Sequence, residues 1–490
     1  MSELELKFKL DDFAVQRWRE RLKAAGARRI RMRALYFDTA DGKLSAAEIA
    51  LRVRQEGRRW VQTLKASGDS AVNREEHEVS VSPGAAGAAP AIDPDLHRPS
   101  PVFGRLQRAL QHSSDASLSQ RYATDFWRTR QHLRCADGSE VEAALDLGIV
   151  IAGEASSPIA ELELEHKAGP VQGLFDLAVE AVGAGGLWLS TVSKAEQGEQ
   201  LSSGRPVRAV KARPLLIPDH ADGPALLRAV LANASSQVLS NASLVAAGSE
   251  DGEVIHQLRV GLRRLRTALR ELDRLSERIA PAWEDVLGDT FGKLGQRRDN
   301  EEVGQAVQAL LLDAAAPKPL WTAPPFANTT HAVRHPAFQS TLLQILALVH
   351  SSDDAFLPVQ QAELKEFVAD RLHKLCKQVL RDGRHFDKLA TDRQHRVRKR
   401  LKRLRYLAEF VRPLWPAKAV DRFIDRLKPA QEALGHHNDC VVACELFRHD
   451  ALTDPRSWFA VGFLQAHLAV TQRAAAKALR RLDKAEPFWS

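Results

Sequence analysis

Glu3-Leu4-Glu5-Leu6-Lys7-Phe8-Lys9 alternates charge with bulk at every step. In an extended strand successive side chains point to opposite faces, so Glu3, Glu5, Lys7 and Lys9 share one side and Leu4, Leu6 and Phe8 the other. One such stretch describes a surface strand equally well. The device recurs, however, in Leu51-Arg52-Val53-Arg54, Glu76-His77-Glu78-Val79, Glu140-Val141-Glu142 and Glu161-Leu162-Glu163-Leu164-Glu165. Several strands with one charged face each point to a sheet curled around a polar interior, because an ordinary sandwich turns its charges outward.

At 490 residues, 44% hydrophobic and 27% charged, the chain is globular and too long for one core; two or three domains are expected. The net charge of +8 is uneven: from Ala225 onward there are 40 Lys and Arg against 31 Asp and Glu, so the basic character belongs to the C-terminal half. The four cysteines, Cys135, Cys376, Cys440 and Cys444, form no CxxC pair or secreted framework. Cys440 and Cys444 share a helical face and read as small core residues rather than metal ligands, since no second Cys/His pair has finger spacing. With no basic-then-apolar leader and no uncharged run near the ~18 residues of a membrane span, a cytoplasmic chain without membrane partners is expected.

The first half reads as strands interrupted by helices. A helix is expected over Asp12–Ala25, closed by Gly26, and another over Val171–Val182. Strands are expected at 33–39, 51–54, 60–65, 74–81, 124–128, 140–151 and 159–167, with loop or weak helix from Pro83 to Pro101 and Ser193-Lys194 in a final turn or short strand. The N-terminal ExExK, Tyr36-Phe37-Asp38-Thr39, Leu51-Arg52-Val53-Arg54, Thr63-Leu64-Lys65, the Glu161–Glu165 strand and Ser193-Lys194 together resemble the CYTH domain of triphosphate tunnel metalloenzymes, over residues 1–204. The look is nearest to bacterial inorganic triphosphatases that carry a CHAD domain behind it. The resemblance implies an α+β arrangement: an eight-stranded antiparallel barrel, open at its ends, whose catalytic residues are Glu3, Glu5, Lys7, Lys65 and Glu163.

The residue types suit that chemistry. A triphosphate in a low-dielectric tunnel requires a cationic wall, here Lys7, Arg52, Arg54, Lys65, Arg74, Arg128 and Lys194. Carboxylates beside such an anion make sense if they hold a divalent cation, so Glu3, Glu5, Asp146, Glu161 and Glu163 are expected to ligate Mg²⁺ or Mn²⁺. Hard oxygen donors without His or Cys argue against zinc there. The metal would neutralise the phosphates and position or acidify the attacking water. Arg128 is preferred to Arg130, which shares its parity; Arg121 is weaker, Glu165 is expected at the rim, and Glu76, Glu78 and Glu142 are expected to pair with the arginines.

Prolines 206, 214, 218 and 224 mark a linker over 205–224, and everything beyond, 225–490, reads as helix. Helices are expected at 225–247, 252–276, 283–312, 337–349, 357–380, 387–411, 416–435, 439–449 and 456–481. Within them a pattern repeats. His256, Arg259, Arg263 and Arg266 recur as His395, Arg398, Lys402 and Arg405, each set one stripe along a helix, beside apolar stripes headed by Leu258 and Val397. Eight of the thirteen residues from Arg393 to Arg405 are Lys or Arg, a repulsion that something anionic or interspersed acids must relieve. The pattern resembles the CHAD (conserved histidine α-helical) domain. That resemblance implies two pseudo-symmetric four-helix bundles and a basic surface for inorganic polyphosphate, contacted by the eight residues of the two stripes. Where many members have Arg-Asp-x-Asp, this chain has Arg298-Asp299-Asn300-Glu301; its acids are taken to orient basic side chains.

The expected activity is metal-dependent hydrolysis of inorganic triphosphate to pyrophosphate and phosphate, with the helical half binding longer polyphosphate and placing the enzyme near it. Alternatives are an organic triphosphate such as thiamine triphosphate or a nucleotide, with Tyr36, Phe37 and Trp60 as candidate ring contacts, adenylate cyclisation, and a non-catalytic polyphosphate scaffold. A nucleic-acid partner is disfavoured, since no reading motif or aromatic stacking platform accompanies the basic stripes. Oligomeric state, the preferred metal, the carboxylate that activates water and any coupling between the halves are left open.

Overall fold

In the computed structural model, residues 4–67, 74–84, 88–113, 117–204, 208–218, 220–314, 328–483 and 485–489 are described, without the side chains of 67, 74, 296–306, 308 and 309. The strands are β1 (Glu5–Leu10), β2 (Arg28–Asp38), β3 (Ile49–Glu56), β4 (Arg59–Ser67), β5 (Arg74–Val81), β6 (Ser119–Arg134), β7 (Glu140–Ala152), β8 (Ala155–Ala168) and β9 (Leu187–Leu189). All pair antiparallel in one sheet of order β5-β4-β3-β2-β6-β7-β8-β1-β9. Against the expected eight strands, nine lie among the described residues. The extra one is the short apolar β9, which pairs with the end of β1 through Phe8 and Leu189.

Strand alternation decides the two faces. In β1, Leu6, Phe8 and Leu10 are buried while Glu5, Lys7 and Lys9 are partly open toward the other side. The apolar face is covered by helices. Among them are α1 (Asp12–Ala24), which buries Trp18 and Leu22, and α4 (Gln172–Gly183), which buries Leu174, Phe175, Leu177 and Val182. Asp11 caps α1 by accepting from the Ala14 N–H at 2.9 Å.

The motif Tyr36-Phe37-Asp38-Thr39 proves architectural at its acid. Buried Asp38 accepts from the N–H groups of Thr39, Leu44 and Ser45 at 2.7–2.9 Å, holding the entry to the short helix α2 (Lys43–Ala46). Among the described residues between Pro83 and Pro101, a short 3₁₀ turn (Pro94–His97) interrupts the loop, and α3 (Phe103–Gln111) follows it.

The chain forms two compact units, and neither is contiguous. The first is Met1–Val210 with Ser236–Glu250 and Val333–His350; the second is Lys211–Ser235, Asp251–Ala332 and Ser351–Ser490. The division departs from the linear order read from composition because α10 (Pro336–His350) is apolar nearly all round and packs on α4. A helix with that composition needs cover on every side. Gln339 of α10 also accepts from the Leu189 N–H at 2.8 Å, and Ser243, on the C-terminal half of α6 (Gly223–Ala246), accepts from the Thr191 N–H at 2.9 Å. Both bonds satisfy backbone donors at or just beyond the β9 edge.

In the second unit, α11 (Gln361–Gly383), α12 (Thr391–Val411), α13 (Ala417–Asp450) and α14 (Ser457–Leu482) close into a four-helix ring. The break expected between Gly435 and Asp439 does not occur. Instead α13 runs on for 34 residues and tolerates Pro429 in its interior. Helices α7 (Gly252–Glu271) and α8 (Pro281–Asp313) pack together, and α7 also packs on α12.

Candidate active site

The charged face of the sheet lines a cavity of about 1000 Å³, bordered by side chains from β1 to β8 and from α5 (Lys194–Ser203). Register assembles its chemistry. Lys9 lies opposite Glu161, Glu161 opposite Asp146, and Asp146 opposite Arg128, so four adjacent strands present base, acid, acid, base in one row. One step along, Lys7 lies opposite Glu163. Direct cross-strand neighbours sit close enough for such pairs to interact.

The side chains close this row into a network. Arg128 makes a bidentate pair with Asp146 at 2.8 and 2.7 Å and also donates to Glu163. Lys194 reaches Asp146, Glu161 and Glu163 at 2.9, 2.5 and 2.8 Å, and Lys9 reaches Glu161 at 2.8 Å. Asp146 and Glu161 are wholly buried. Burial alone would push the Glu161 carboxyl up, but Lys194, Lys7 and Lys9 hold it down at about 2. Glu163 is likewise held well below the carboxylate range, against its burial, by Arg128, Lys194 and Lys7. Glu5 goes the other way: burial and the neighbouring Glu163 raise it, against Lys65, Lys7 and Lys194.

The second wall comes from β3 to β5. Lys65 pairs with Glu76 at 2.7 Å, and Arg52 lies 3.4 Å from the same acid while donating to the Tyr36 hydroxyl at 3.2 Å. Arg54 meets Glu78 at 2.9 Å and Glu56 at 2.5 Å. Against the cost of burial, Lys65 and Arg52 keep Glu76 ionised down to about 2. Glu76 and Glu78 therefore pair with the basic wall, as expected, and Glu142 does so with Arg130 at 3.5 Å.

Lys194 is placed differently from the expected turn or strand. It opens α5 behind the Ser193–Glu196 capping box, in which Ser193 accepts from the Glu196 N–H at 3.1 Å. A cation at a helix N-terminus opposes the helix dipole. Three carboxylates offset that, and they raise the Lys194 ammonium pKa although burial lowers it.

Of the expected residues, Glu5, Lys7, Arg52, Arg54, Lys65, Arg128, Glu163 and Lys194 line the cavity, with Asp146 and Glu161 buried directly behind Lys194. Glu3 lies outside the described residues, as does the side chain of Arg74, whose backbone opens β5. Lys9 was missed, although its parity with Lys7 signalled it. Tyr122, stacked on Tyr36 at 4.7 Å, carried no such signal.

In the helical unit the two repeated stripes meet. Burial lowers the Lys402 amine, and Arg398, Arg263 and Arg259 lower it further, to about 6, with Asp439 opposing. Arg259 and Arg263 lay their guanidinium groups over Phe291 at 4.8 and 5.5 Å. Arg263, Lys399 and Lys402 form no ion pair among the described residues. The His395 ring bonds through Nδ1 to Asn438 at 3.0 Å. Arg403 pairs with buried Glu271 at 3.2 Å and ties α12 to α7. Arg266 faces Glu284 at 3.3 Å, and His256 is half-buried on α7. Arg405 is engaged elsewhere, donating to Glu409 at 2.7 Å and Gln431 at 3.0 Å. The side chains of Arg298-Asp299-Asn300-Glu301 lie outside the described residues.

Comparison with known proteins gives two domain matches: the CYTH domain over residues 1–198 and the CHAD domain over residues 229–448. Among curated proteins, the chain is similar to an inorganic triphosphatase of Haemophilus influenzae, 30% identical over 173 residues. That match covers 34% of this chain and spans 45%, less than half, of the relative's length. Among solved structures, the CHAD domain from the plant Ricinus communis is 26% identical, covering 57% of this chain and 98% of that one at a TM-score of 0.45. A Hippeastrum protein described as a candidate adenylyl cyclase with a dominant triphosphatase activity is 18% identical, covering 42% of this chain and 98% of that one at a TM-score of 0.28. The chain is a CYTH–CHAD protein, with a nine-stranded CYTH domain followed by a helical CHAD domain.

Proposed function

We propose that the sheet domain hydrolyses inorganic triphosphate to pyrophosphate and phosphate, and that the helical domain binds inorganic polyphosphate. The observation that carries the first part is the convergence of Lys7, Arg52, Arg54, Lys65, Arg128 and Lys194 with Glu5 and Glu163 on one cavity, backed by the buried carboxylates of Asp146 and Glu161. The Haemophilus relative bears the name of that activity.

Oxygen atoms of Asp146, Glu161 and Glu163 lie within 4.8 Å of one another. Neither oxygen of Glu161 makes a well-oriented hydrogen bond, close as the two ammonium groups are. Three hard donors with spare lone pairs fit Mg²⁺ or Mn²⁺, with Glu5 on the adjoining cavity wall. When bound, such an ion supplies charge neutralisation and a polarised water. The chain's own part is positioning. Arg52, Arg54 and Lys65 hold non-bridging phosphoryl oxygens, exchanging carboxylate contacts for phosphate ones. Arg128 and Lys194 remain braced by carboxylates on one side and can stabilise charge developing on the leaving oxygen from the other. Water adds to a terminal phosphorus, the bond to the bridging oxygen breaks, and the water proton passes to solvent or a site carboxylate. Such a reaction needs little beyond alignment and charge stabilisation.

An inorganic substrate is favoured over an organic one because the aromatic rings lining the cavity, Tyr36, Tyr122 and Phe126, are buried, and the two tyrosines are stacked on each other. Phe37 and Trp60 do not line it. No described helix is long and apolar enough to cross a membrane. A cytoplasmic location near polyphosphate is part of the same proposal.

The test is phosphate release from tripolyphosphate, ATP, thiamine triphosphate and long-chain polyphosphate, with Mg²⁺, Mn²⁺ or EDTA, for the native chain and Glu5→Gln. Metal-dependent turnover of tripolyphosphate far above the rest, lost in the variant, is expected. Preference for an organic triphosphate would change the substrate, and no hydrolysis with polyphosphate binding intact would leave only the scaffold reading.

A further inference from the structure

On the second unit, apart from the basic stripes, two helices bring a second and chemically different donor set together. His436 and Cys440 are four residues apart on α13 and therefore share a face. His467 faces them from α14, which packs along α13 through Ala443, Cys444 and Phe447 against Ala460, Val461 and Leu464. One ligand atom from each of the three, two imidazole nitrogens and the Cys440 sulfur, lies within 4.8 Å of the other two. None of these three side chains makes a hydrogen bond among the described residues.

The neighbours distinguish this arrangement from core filling. His437, next in sequence, is spent internally: its Nδ1 bonds Thr471 Oγ1 at 2.9 Å and its Nε2 bonds Gln394 Oε1 at 3.0 Å. Cys444, one turn on, packs in the apolar cluster. Cys440 is buried, His467 half-buried and His436 exposed, so the set runs from the helix interface out to water. The His467 ring is steadied by a parallel stack on Phe463, at 5.9 Å and 8°. Two imidazoles and a thiol, borderline-soft donors that supply three of four tetrahedral positions, match a zinc-class ion rather than the hard cations that suit an all-carboxylate cluster.

We propose that His436, Cys440 and His467 bind one zinc-class divalent cation, with water in the fourth position, cross-linking α13 to α14. Spacing in the sequence argued against ligands here because the third donor arrives from another helix. On binding, the thiol proton leaves to solvent, the sulfur ligates as thiolate, and no electron is transferred. The cross-link steadies the helical turn that also presents Asn438 to His395.

Co²⁺, a spectroscopic stand-in for Zn²⁺, tests this on the full chain after chelator stripping. The expected result is a thiolate-to-cobalt charge-transfer band in the near ultraviolet that saturates at one ion per chain and is bleached by Zn²⁺. Carboxylate sites cannot produce that band, so metal in the sheet cavity does not interfere. Cys440→Ser and His467→Gln should each abolish it, and Cys444→Ser should leave it. Absence of the band, or its survival in Cys440→Ser, overturns the proposal. Should the variants fold poorly, X-ray absorption on the zinc-loaded native chain decides. A sulfur at about 2.3 Å with imidazole nitrogens supports the site, and a shell without sulfur refutes it.

Discussion

In the sheet domain Lys194 meets three carboxylates within 2.9 Å and Arg128 meets two, whereas in the helical domain Arg263, Lys399 and Lys402 form no ion pair among the described residues, with Asp439 acting on Lys402 only from a distance. The pKa directions record the difference. Lys194 is raised despite burial, and Lys402 is lowered to about 6. A cation already neutralised is held in one place before ligand arrives, which suits a reaction that depends on alignment. A cluster of unneutralised cations stores repulsion that an anion relieves on binding, which suits a receptor. Both regions are basic, and counting charges does not tell them apart; the position of the acids does.

The sharpest way to break this contrast is to remove Lys194. Lys194→Met strands the buried carboxylates of Asp146 and Glu161, and should cost about 3–5 kcal/mol of stability, read by denaturant unfolding. Hydrolysis of tripolyphosphate should fall by about a thousandfold or more, while polyphosphate binding by the helical domain stays within twofold of native.

Charge removal in the proposed polyphosphate-binding domain should do the reverse. Arg263→Ala with Arg398→Ala should weaken polyphosphate binding by roughly tenfold per charge in calorimetry, lower its salt dependence, and leave triphosphate turnover unchanged. Equal loss of both activities would erase the division of labour.

Titration sharpens the same point. Burial and three neighbouring arginines lower the Lys402 amine to about 6, and a bound polyanion raises it again. The complex then holds a proton that the free protein lacks above pH 6. Affinity should accordingly weaken as pH rises from 6, by at most about tenfold per unit. In the free protein the sign is opposite. The unfolded lysine, near 10.5, binds a proton the native state does not, so stability rises with pH between about 6 and 10.5, and the penalty is fully present below pH 6. Lys402→Met should flatten both slopes.

The smallest effect is expected at Gly198 on α5. A Cβ there would lie 2.1 Å from the Tyr122 ring, which stacks on Tyr36, the acceptor for Arg52. Gly198→Ala should cost about 1–3 kcal/mol of stability and lower kcat more than it raises KM for tripolyphosphate.

Much of this was legible in the chain. The alternation of β1, β3 and β8 placed Glu5, Lys7, Arg52, Arg54 and Glu163 on one face because a strand has a period of two, and that period needs no tertiary information. The paired stripes of α7 and α12 followed from helical spacing in the same way. Lys9 was equally visible by parity. The role of Asp38 as a helix-entry brace was not, because it depends on N–H groups six and seven residues ahead.

What local periodicity determines is which residues share a face; what it leaves undecided is which faces meet. Strand register, a long-range property, put Asp146 and Arg128 opposite each other and set Glu161 in line with them. Close packing assigned α10 to the sheet's unit rather than to the helices that follow it in sequence. The same distinction separates two adjacent histidines. Nothing in their order tells His436 from His437, yet the fold turns one toward Cys440 and His467 and the other into bonds with Thr471 and Gln394. A side chain's chemistry is written in the sequence, but its partners come from elements far along the chain, and only packing brings those together.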